Sequence, residues 1–469
     1  MPQDDLLDAI RAIAGDGGVI AGAELAKRPG DWLGFSSCMA AAIVRPRSTD
    51  ELSRIMRLCH ARRQPVIAAG GLSGLVHGTD AAGHELQISF ERMRAVEAVD
   101  PVGRTMTVEA GVPLQAAQDA ALEHDLIYAV DLGARGSATI GGTVSTNAGG
   151  NQVVRYGMTR ENVLGLEVVL ADGTVLSSMN HLLKNNAAYD LKQMFIGSEG
   201  TLGLVTRAVL RLHPRPLTIA TALLAVDDFD GITGLLSLCS GRLGAMLTSF
   251  EVMWQSHYRA IAIDSGRHQP PLPAGHAYYV IVEASGMDPG RDEAFFTALM
   301  EETLAGGLAA DAVIAASGAQ RGAIWGIRED IPGIMAAMMP CAVFDVSLPV
   351  TAMPDYVAGL TASVDAEWAG QGKLMVFGHL GDGNLHISVA PRPWSEEARH
   401  RAEELVYRPL EAIGGSISAE HGIGLEKRAW LSSSRTPEEI ATMRLLKAAL
   451  DPLNLLNPGK VLIPEDSSA

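Results

Sequence analysis

The sequence predicts an α+β protein with two domains. Its 469 residues exceed one typical domain and can bury two or three sizeable cores. Strand-like apolar runs and segments of helical periodicity follow one another along the chain. After Pro214 and Pro216 the pattern changes, because glycine-rich loops give way to regular strands and amphipathic helices. We therefore expect one domain over residues 1–215 and a second over residues 216–469.

Composition and charge narrow the class of protein. The net charge of −17 argues against general affinity for nucleic acid or anionic membrane. The four cysteines never show CxxC spacing, which disfavours a cysteine-ligated iron–sulfur cluster and fits a reducing compartment. The longest apolar run, residues 334–344, is broken by Pro340 and is too short to span a bilayer. The segment MPQDDLLDAI resembles no export signal, so we predict a cytoplasmic protein.

The first domain begins with two predicted helices. Apolar residues on one helical face predict a helix that stops near Gly15. A second amphipathic helix follows Ser48 and Glu51, which have the spacing of a capping box. Further along, the patterns predict strands at residues 65–69, 86–90 and 105–110, a helix over 114–124, and a hairpin of 166–170 with 175 around an Asp-Gly turn.

Two glycine-rich segments are candidates for ligand binding. Residues 70–78, GGLSGLVHG, directly follow a predicted strand, and such loops expose backbone N–H groups that hold phosphate. The loop alone can equally be a turn, and its spacing is neither GxGxxG nor a Walker loop. Residues 131–150 form a polar, glycine-dense stretch, which in a compact domain is either functional or disordered. Ile140 and Val144 favour ordering against a ligand.

The second domain alternates strands with amphipathic helices, which is typical of an α/β or an α+β domain, and we expect its histidine-rich stretch on a strand of the sheet. A last helix over 437–450 precedes the tail at residues 456–460. The predicted strands are residues 218–226, 278–284, 311–316, 344–350 and 374–377, and the predicted helices are 292–305, 320–330, 355–369 and 396–412.

The stretch VFGHLGDGNLH contains the strongest chemical signal. An uninterrupted strand would send His379 and His386 to opposite faces, but the glycines between them allow a turn that brings them together. Two imidazoles and one carboxylate form a site for a divalent transition metal. Glu420 is the candidate carboxylate, and the adjacent His421 would face elsewhere on extended backbone. The alternative is two half-buried histidines in a glycine-rich turn.

Taken together, these segments resemble the flavin-dependent 2-hydroxy-acid dehydrogenases of the vanillyl-alcohol-oxidase/PCMH superfamily. The resemblance covers nearly the whole chain and is most specific at residues 196–203, 378–386 and 416–424. It implies a PCMH-type FAD-binding domain, followed by an α+β substrate- and metal-binding domain with an antiparallel sheet and a C-terminal helical cap. It also implies non-covalent FAD, because Leu72 stands where members that tether the flavin carry a histidine.

The resemblance places FAD on the two glycine-rich segments. Residues 70–74 and 133–147 would surround the pyrophosphate and the isoalloxazine, and residues 457–460 would approach the flavin. The implied FAD-binding residues are Ala69, Gly70, Gly71, Leu72, Ser73, Gly74, Leu75, Asp131, Gly133, Gly136, Ser137, Ile140, Gly141, Gly142, Thr146, Asn147, Gly149, Gly150, Glu199, Gly200, Leu202, Glu420 and Asn457.

The same resemblance assigns roles in the reaction. It implies a divalent metal on His379, His386 and Glu420, with zinc as the first expectation and manganese or iron as alternatives. His421 matches the general base, and Arg328 matches the residue that binds the substrate carboxylate. From the residues alone, Arg328 can equally be an exposed arginine of a helix.

Three positions depart from the pattern of the members that oxidise D-2-hydroxyglutarate. Pro332, Val343 and Ser388 replace the Thr, Lys and Asn of that pattern. Proline offers no donor and valine no charge, so the second carboxylate of such a substrate would be under-paired. With Arg328, Ser388 and Val343 as substrate-site residues, we expect an (R)-2-hydroxy acid such as D-lactate or a longer homologue to be preferred to D-2-hydroxyglutarate.

The leading hypothesis is therefore an FAD- and metal-dependent dehydrogenase that transfers hydride from the hydroxy acid to flavin N5. The absence of cluster and haem motifs implies an external electron acceptor, either electron-transfer flavoprotein or a quinone-linked carrier. The hypothesis allows a homodimer. Two alternatives stay open, a metal-free flavin oxidase and a non-catalytic flavin-binding subunit of a larger complex.

Overall fold

A computed structural model describes residues 3–31 and 37–464. The predicted α+β class is confirmed. The segment from Glu420 onward, which the sequence analysis assigned to the second domain, groups with the first unit. The chain forms two compact units, the first comprising the chain up to Gly150, Gly157–Arg215 and the segment from Glu420 onward, and the second comprising Asn151–Tyr156 and Pro216–Ala419.

The regular elements are numbered here in chain order. The strands of the first unit are β1 Val19–Ile20, β2 Ala42–Val44, β3 Val66–Ala69, β4 Leu86–Ser89, β5 Val96–Asp100, β6 Thr105–Glu109, β7 Leu126–Ile127, β8 Val163–Val169, β9 Val175–Ser178, β10 Leu204–Arg211 and β11 His213–Pro214. The strands of the second unit are β12 Thr218–Val226, β13 Leu247–Trp254, β14 Tyr278–Gly286, β15 Asp311–Ile314, β16 Ala342–Ser347, β17 Lys373–Gly378 and β18 Asn384–Ala390. The α-helices are α1 Gln3–Ala14, α2 Thr49–Arg62, α3 Leu114–Leu122, α4 Ile140–Thr146, α5 Val153–Tyr156, α6 Lys192–Phe195, α7 Phe229–Leu243, α8 Gln255–Tyr258, α9 Asp292–Ala305, α10 Gly318–Arg328, α11 Ile331–Met338, α12 Met353–Glu367, α13 Glu396–Ala412 and α14 Pro437–Leu450.

The first unit contains two larger sheets. One has the order β1-β2-β4-β3, in which β4 pairs in parallel with β2 and β3 while β1 is antiparallel to β2. The other, β5-β6-β10-β8-β9, is antiparallel throughout. Leu456 is fully buried in this unit's core, and the backbone on both sides of it bonds Val66. These contacts explain why the last segment groups with the first unit.

The first two helices form largely as their sequences predict. Helix α1 buries its apolar face and ends just before Gly15, whose φ of +74° suits glycine. Ser48 caps α2 by accepting a hydrogen bond from the N–H of Glu51 at 3.2 Å. The Glu51 carboxylate bonds Arg47 instead of the backbone of Ser48, so only half of the predicted capping box forms.

The second unit is built on one antiparallel sheet with the order β15-β12-β14-β13-β17-β18-β16. Five of these strands were predicted from the sequence, whereas β13 and β18 were not. The histidine-rich stretch was expected on a strand, but it spans the end of β17, a turn that begins at His379, and the start of β18. Strand registers set Asp345 and Phe377 opposite His386, and Met253 opposite Phe377. Directly opposite residues share a face, so these four side chains and Glu251, two residues before Met253, lie on one face of the sheet.

Helix α10 lies on that same face. Arg321, Trp325 and Arg328 recur at helical spacing, and their side chains reach the carboxylates of Glu283 on β14 and Glu251 on β13. The helix begins at a side-chain cap, because Ser317 accepts from the backbone N–H of Gln320. The sheet and this helix therefore determine where the arginines point.

The apolar run predicted not to span a bilayer is divided between two elements, because α11 ends at Met338 and β16 begins at Ala342. Over residues 3–31 and 37–464, no helix has the length and hydropathy needed to cross a membrane. The cytoplasmic location stays a prediction. In the segment MPQDDLLDAI, from which that location was predicted, Met1 and Pro2 lie outside the described residues.

Candidate functional site

The two histidines come together on a hairpin. Strand β17 ends at Gly378, a turn follows in which Gly383 has a φ of +85°, and β18 pairs back so that His386 lies opposite Phe377. The imidazole rings of His379 and His386 have centroids 5.2 Å apart and planes 78° apart. The prediction that the glycine-containing turn brings the pair together is confirmed.

His379 is held by two charged side chains. Its Nδ1 lies 2.9 Å from Oε1 of Glu251, and its Nε2 lies 3.0 Å from Nη2 of Arg328. Glu251 also accepts from Nε of Arg328 at 2.9 Å through its other oxygen. All three side chains are buried, so each polar contact here is made away from bulk water.

His386 faces a second buried carboxylate. Its Nδ1 lies 3.7 Å from Oδ1 of Asp345. Asp345 is fixed in turn, since Asn384 Nδ2 donates to Oδ1 at 2.8 Å and the N–H of Ala419 donates to Oδ2 at 3.0 Å. Each histidine therefore has an acidic side chain beside Nδ1.

This donor set fits a divalent transition metal. Histidines that ligate a metal usually donate their other ring N–H to a carboxylate or carbonyl, which fixes the tautomer and the ring orientation. Glu251 stands in that position for His379, and Asp345 stands near it for His386. An imidazole held in this way presents Nε2 as the ligand atom; in His379 that atom also lies 3.0 Å from Nη2 of Arg328.

The predicted substrate residues lie on the same unit. Arg328 is only 6% exposed, and its guanidinium carbon lies 5.0 Å from the ring centroid of Phe377, so the alternative of an exposed helix arginine is wrong. Val343 on β16 is paired directly with Ser388 on β18. This pair is two residues along the strands from Asp345 and His386, on the same face.

Burial and charge shift two pKa values near the histidines. Burial alone raises the pKa of Glu251, but the charges and hydrogen bonds of His379 and Arg328 outweigh it, so the pKa of Glu251 is lowered. His257 packs 4.6 Å from the Phe377 ring, and its Nε2 lies 3.3 Å from the carbonyl of Ile327. Burial lowers the pKa of His257 to about 3.

In the first unit, the loop after β3 offers unbonded backbone donors. Among the described residues, the N–H groups of Gly70 to Leu75 donate to no protein acceptor. Leu72 has a φ of +56°, and a Cβ on Gly71 would lie 1.7 Å from the carbonyl oxygen of Ser137. Successive free N–H groups in such a turn bind anions, so this loop fits the pyrophosphate of FAD.

The second glycine-rich segment is ordered by the protein itself. Helix α4 begins at Thr139, whose side chain accepts from the N–H of Gly142. Ile140 and Val144 are fully buried in the first unit's core, so core packing accounts for the ordering that we expected from a ligand. Gly150 has a φ of +122°, and a Cβ there would lie 1.9 Å from the carbonyl oxygen of Asp131.

The last segment of the first unit is held by hydrogen bonds within that unit. Oε1 of Glu420 accepts from the N–H of Gly150 at 2.9 Å, and Glu199 accepts from the N–H groups of Ile423 and Gly424 at 2.7 and 2.8 Å. Burial raises the pKa of Glu199, although these two N–H groups act in the opposite direction. His421 lies between the two anchored positions.

The side-chain amide of Asn457 makes two hydrogen bonds within the same unit. Its Oδ1 accepts from the N–H of Ala68 at 2.8 Å, and its Nδ2 donates to the carbonyl of Glu199 at 2.7 Å. Asn457 and Glu199 were both expected at the flavin by resemblance. The hydrogen bonds of both side chains described here go to backbone groups of the first unit.

Two residues of the site escaped the sequence analysis. Glu251 is the one charged residue of the strand Leu247–Trp254, and Asp345 lies two residues after Val343. An acidic residue inside a buried strand is a usable signal, because a buried carboxylate requires a partner.

Two family models match the chain. A model described as "FAD binding domain" matches residues 40–178, and one described as "FAD linked oxidases, C-terminal domain" matches residues 215–461. The second match alone covers more than half of the chain. The order of the two matches is the order of the predicted domains.

Similar proteins extend over nearly the whole chain. A D-2-hydroxyglutarate dehydrogenase of Xanthomonas citri pv. viticola is 39% identical over 442 residues, which cover 93% of this chain and 92% of that protein. The mitochondrial D-2-hydroxyglutarate dehydrogenase of Bos taurus is 37% identical over 461 residues, covering 98% and 84%. A D-2-hydroxyglutarate–pyruvate transhydrogenase of Saccharomyces cerevisiae is 34% identical over 446 residues, covering 94% and 90%.

Solved structures agree on the fold. p-Cresol methylhydroxylase with substrate bound aligns with a TM-score of 0.78 at 14% identity, covering 99% of this chain and 98% of that chain. The 4-ethylphenol oxidase of Gulosibacter chungangensis aligns with a TM-score of 0.77 at 17% identity and the same coverage. The chain therefore has the PCMH-type fold and belongs to the family of FAD-linked oxidases, as an FAD-dependent oxidoreductase.

Proposed function

We propose that this protein is an FAD- and divalent-metal-dependent dehydrogenase that oxidises an (R)-2-hydroxy acid to the 2-oxo acid. The observation that carries the proposal is the pair His379 and His386, each with a carboxylate beside Nδ1 and with the Arg328 guanidinium in contact. Relatives named for D-2-hydroxyglutarate support the class of substrate.

The metal ligands in this proposal are His379, His386 and Glu420. Glu420 directly follows Ala419, the residue whose N–H bonds Asp345 behind His386. A bound divalent metal lowers the pKa of the oxygen that it ligates; metal-bound water, for example, reaches a pKa of roughly 7. Glu251 and Asp345 would keep the histidine rings oriented, and Arg328 would bind the substrate carboxylate as a bidentate donor.

The proton and the hydride leave the substrate by separate routes. The loop after β3 would hold FAD, which when bound supplies a hydride acceptor at N5. His421 would take the hydroxyl proton as general base, a role that typically contributes about 10²–10⁴-fold. We propose that FAD is non-covalent, because Leu72 has no nucleophilic atom with which to tether it. Acid precipitation should then release all the yellow colour, whereas colour in the pellet would contradict this part.

The proposed preference for a monocarboxylic substrate depends on the residues expected around the substrate. Pro332 lies in the first turn of α11, a position that suits proline because no intrahelical N–H bond is lost there. Val343 is 48% exposed and carries no charge, and its partner Ser388 is buried. Arg328 with a metal can bind one carboxylate and the hydroxyl, so a monocarboxylic substrate leaves no buried charge unpaired.

A dye-reduction assay on purified holoenzyme tests this function. We expect turnover with D- but not L-2-hydroxy acids, loss of turnover with a chelator while FAD stays bound, and recovery with Zn²⁺ or Mn²⁺. His386→Ala should abolish turnover, and His276→Ala, which removes a histidine paired with Asp227 elsewhere on the unit, should not.

The same preparation separates the alternatives. Full activity of His386→Ala would show that the histidine pair is structural. Rapid oxygen consumption with the hydroxy acid would identify a flavin oxidase, while reduction only of a dye or of an electron-transfer flavoprotein supports a dehydrogenase with an external acceptor. No turnover with any acid would support a non-catalytic flavin-binding subunit.

A further inference from the structure

Glu251 joins a histidine and an arginine that the proposed function uses separately. Its side chain is 1% exposed, and its two oxygens have different partners. Oε1 lies 2.9 Å from Nδ1 of His379, and Oε2 lies 2.9 Å from Nε of Arg328. One carboxylate on β13 therefore fixes two side chains that come from other elements of the unit.

The contact with Glu251 assigns the tautomer of His379. An ionised carboxylate only accepts hydrogen bonds, so Nδ1 carries the proton that faces Glu251 at 2.9 Å. Nη2 of Arg328 lies 3.0 Å from Nε2 and 3.4 Å from Nδ1 of the same ring, so this contact does not distinguish the two nitrogens. The contact with Glu251 selects the form in which Nε2 carries no hydrogen, which is the form that can bind a metal ion.

A neighbouring carboxylate provides an internal comparison. Glu283 on β14 is also 1% exposed and is bonded by Arg321, seven residues before Arg328 on α10. Its other donors are Nε1 of Trp325 at 2.8 Å and Oγ1 of Thr221 at 2.7 Å. Glu251 and Glu283 thus share burial, strand environment and an arginine of the same helix. Among these contacts, a histidine is found only at Glu251.

We propose that Glu251 is a positioning residue that sets the metal affinity of this protein by holding His379 in the Nδ1–H tautomer and keeping Arg328 beside it. The proposal rests on the proposed function, because it takes His379 as a metal ligand. Carboxylates behind metal-binding histidines typically change metal affinity by about 10–100-fold when they are removed. Glutamine in place of Glu251 keeps the shape but turns one acceptor into a donor, so it can satisfy only one of the two partners.

The test measures Zn²⁺ affinity by competition with a chromophoric chelator on the FAD-loaded protein. E251Q should bind Zn²⁺ about 10–100-fold more weakly than the parent protein, with unchanged flavin content. E283Q should keep the parental Zn²⁺ affinity, because it breaks a comparable buried arginine pair without touching a histidine. Equal Zn²⁺ affinities of E251Q and the parent would overturn the proposal, as would an equal loss in E283Q.

A second variant covers the case in which E251Q does not fold. E251D keeps the charge but is one methylene shorter, so it cannot reach both partners at 2.9 Å. It should lower the Zn²⁺ affinity at least several-fold, and an unchanged affinity overturns the proposal. Failure of the proposed function is recognised separately, because the parent protein would then bind no Zn²⁺ at all.

Discussion

The two units prepare their ligand groups with different parts of the chain. In the first unit the loop after β3 presents backbone N–H groups, and glycines let it lie against the carbonyl of Ser137. In the second unit the candidate ligand atoms belong to side chains, because Glu251 lies beside Nδ1 of His379 and Asp345 lies beside Nδ1 of His386. A backbone site depends on chain conformation and tolerates most side chains, whereas a side-chain site depends on single atoms. The two sites should therefore fail separately.

The largest expected effect comes from His421 of the first unit, the proposed general base. His421→Ala should lower kcat by about 10²–10⁴-fold with little change in KM, because a general base acts in the transition state. FAD and metal contents should stay unchanged. His181→Ala, which removes a histidine bonded to Thr105 in the same unit, is the control. A loss seen mainly in KM would make His421 a substrate-binding residue.

Gly71→Ala should break the backbone site alone. The new Cβ would lie 1.7 Å from the carbonyl oxygen of Ser137, so the loop must move. Overpacking of this kind costs about 1–3 kcal/mol, which corresponds to FAD binding weakened by about tenfold to a hundredfold. Flavin absorbance after gel filtration measures it. Gly17→Ala, elsewhere in the same unit, meets no atom within 4 Å and is the control, and Zn²⁺ binding should be unaffected in both variants.

A substrate comparison examines the side-chain site without mutation. Leaving a charged carboxylate under-paired costs on the order of 1–3 kcal/mol, so kcat/KM for D-lactate or D-2-hydroxybutyrate should exceed that for D-2-hydroxyglutarate by about tenfold to a hundredfold. The reason is the uncharged Val343 and the donor-free Pro332. A clear preference for the dicarboxylate would show that another cation serves its second end.

The smallest effect is a pH dependence of stability. His257 is buried with its pKa lowered to about 3, and within the described residues its Nδ1 has no hydrogen-bond partner. Below the ordinary histidine pKa of about 6.5, His257 binds a proton in the unfolded chain but stays unprotonated in the folded chain. The free energy of unfolding therefore falls as the pH drops. Between pH 7 and pH 5 the loss is about 2 kcal/mol. Urea unfolding of His257→Phe should show a pH dependence smaller by this amount, and an unchanged dependence would contradict the prediction.

The histidine hairpin could be predicted because its signal is local. Glycines within seven residues of sequence imply a turn, and β17, the turn and β18 form as that reasoning requires. The glycine-rich segments were identified for the same reason. The packing of the last segment against the first unit was not predicted, since it depends on Leu456 entering a core formed mostly by residues far earlier in the chain.

Glu251 could not be predicted in the same way. It lies 128 residues before His379, and only the pairing of β13 with β17 brings the two together. Periodicity describes which face a residue occupies but not which strand is its neighbour. Arg328 shows the same limit, because its helix was predicted while its burial against Glu251 depends on the sheet beneath it.

The hydrogen bonds of the Asn457 side chain affect the order in which the two units can fold during synthesis. This side chain joins Ala68 to Glu199, so the FAD-binding unit is completed only when a residue 389 positions after Ala68 has left the ribosome. Most of the second unit, Pro216–Ala419, emerges earlier and is continuous in the chain. Domains generally fold as units during synthesis, and contacts of large sequence separation form late. Nascent chains should therefore acquire a protease-resistant histidine-bearing unit before they can retain flavin.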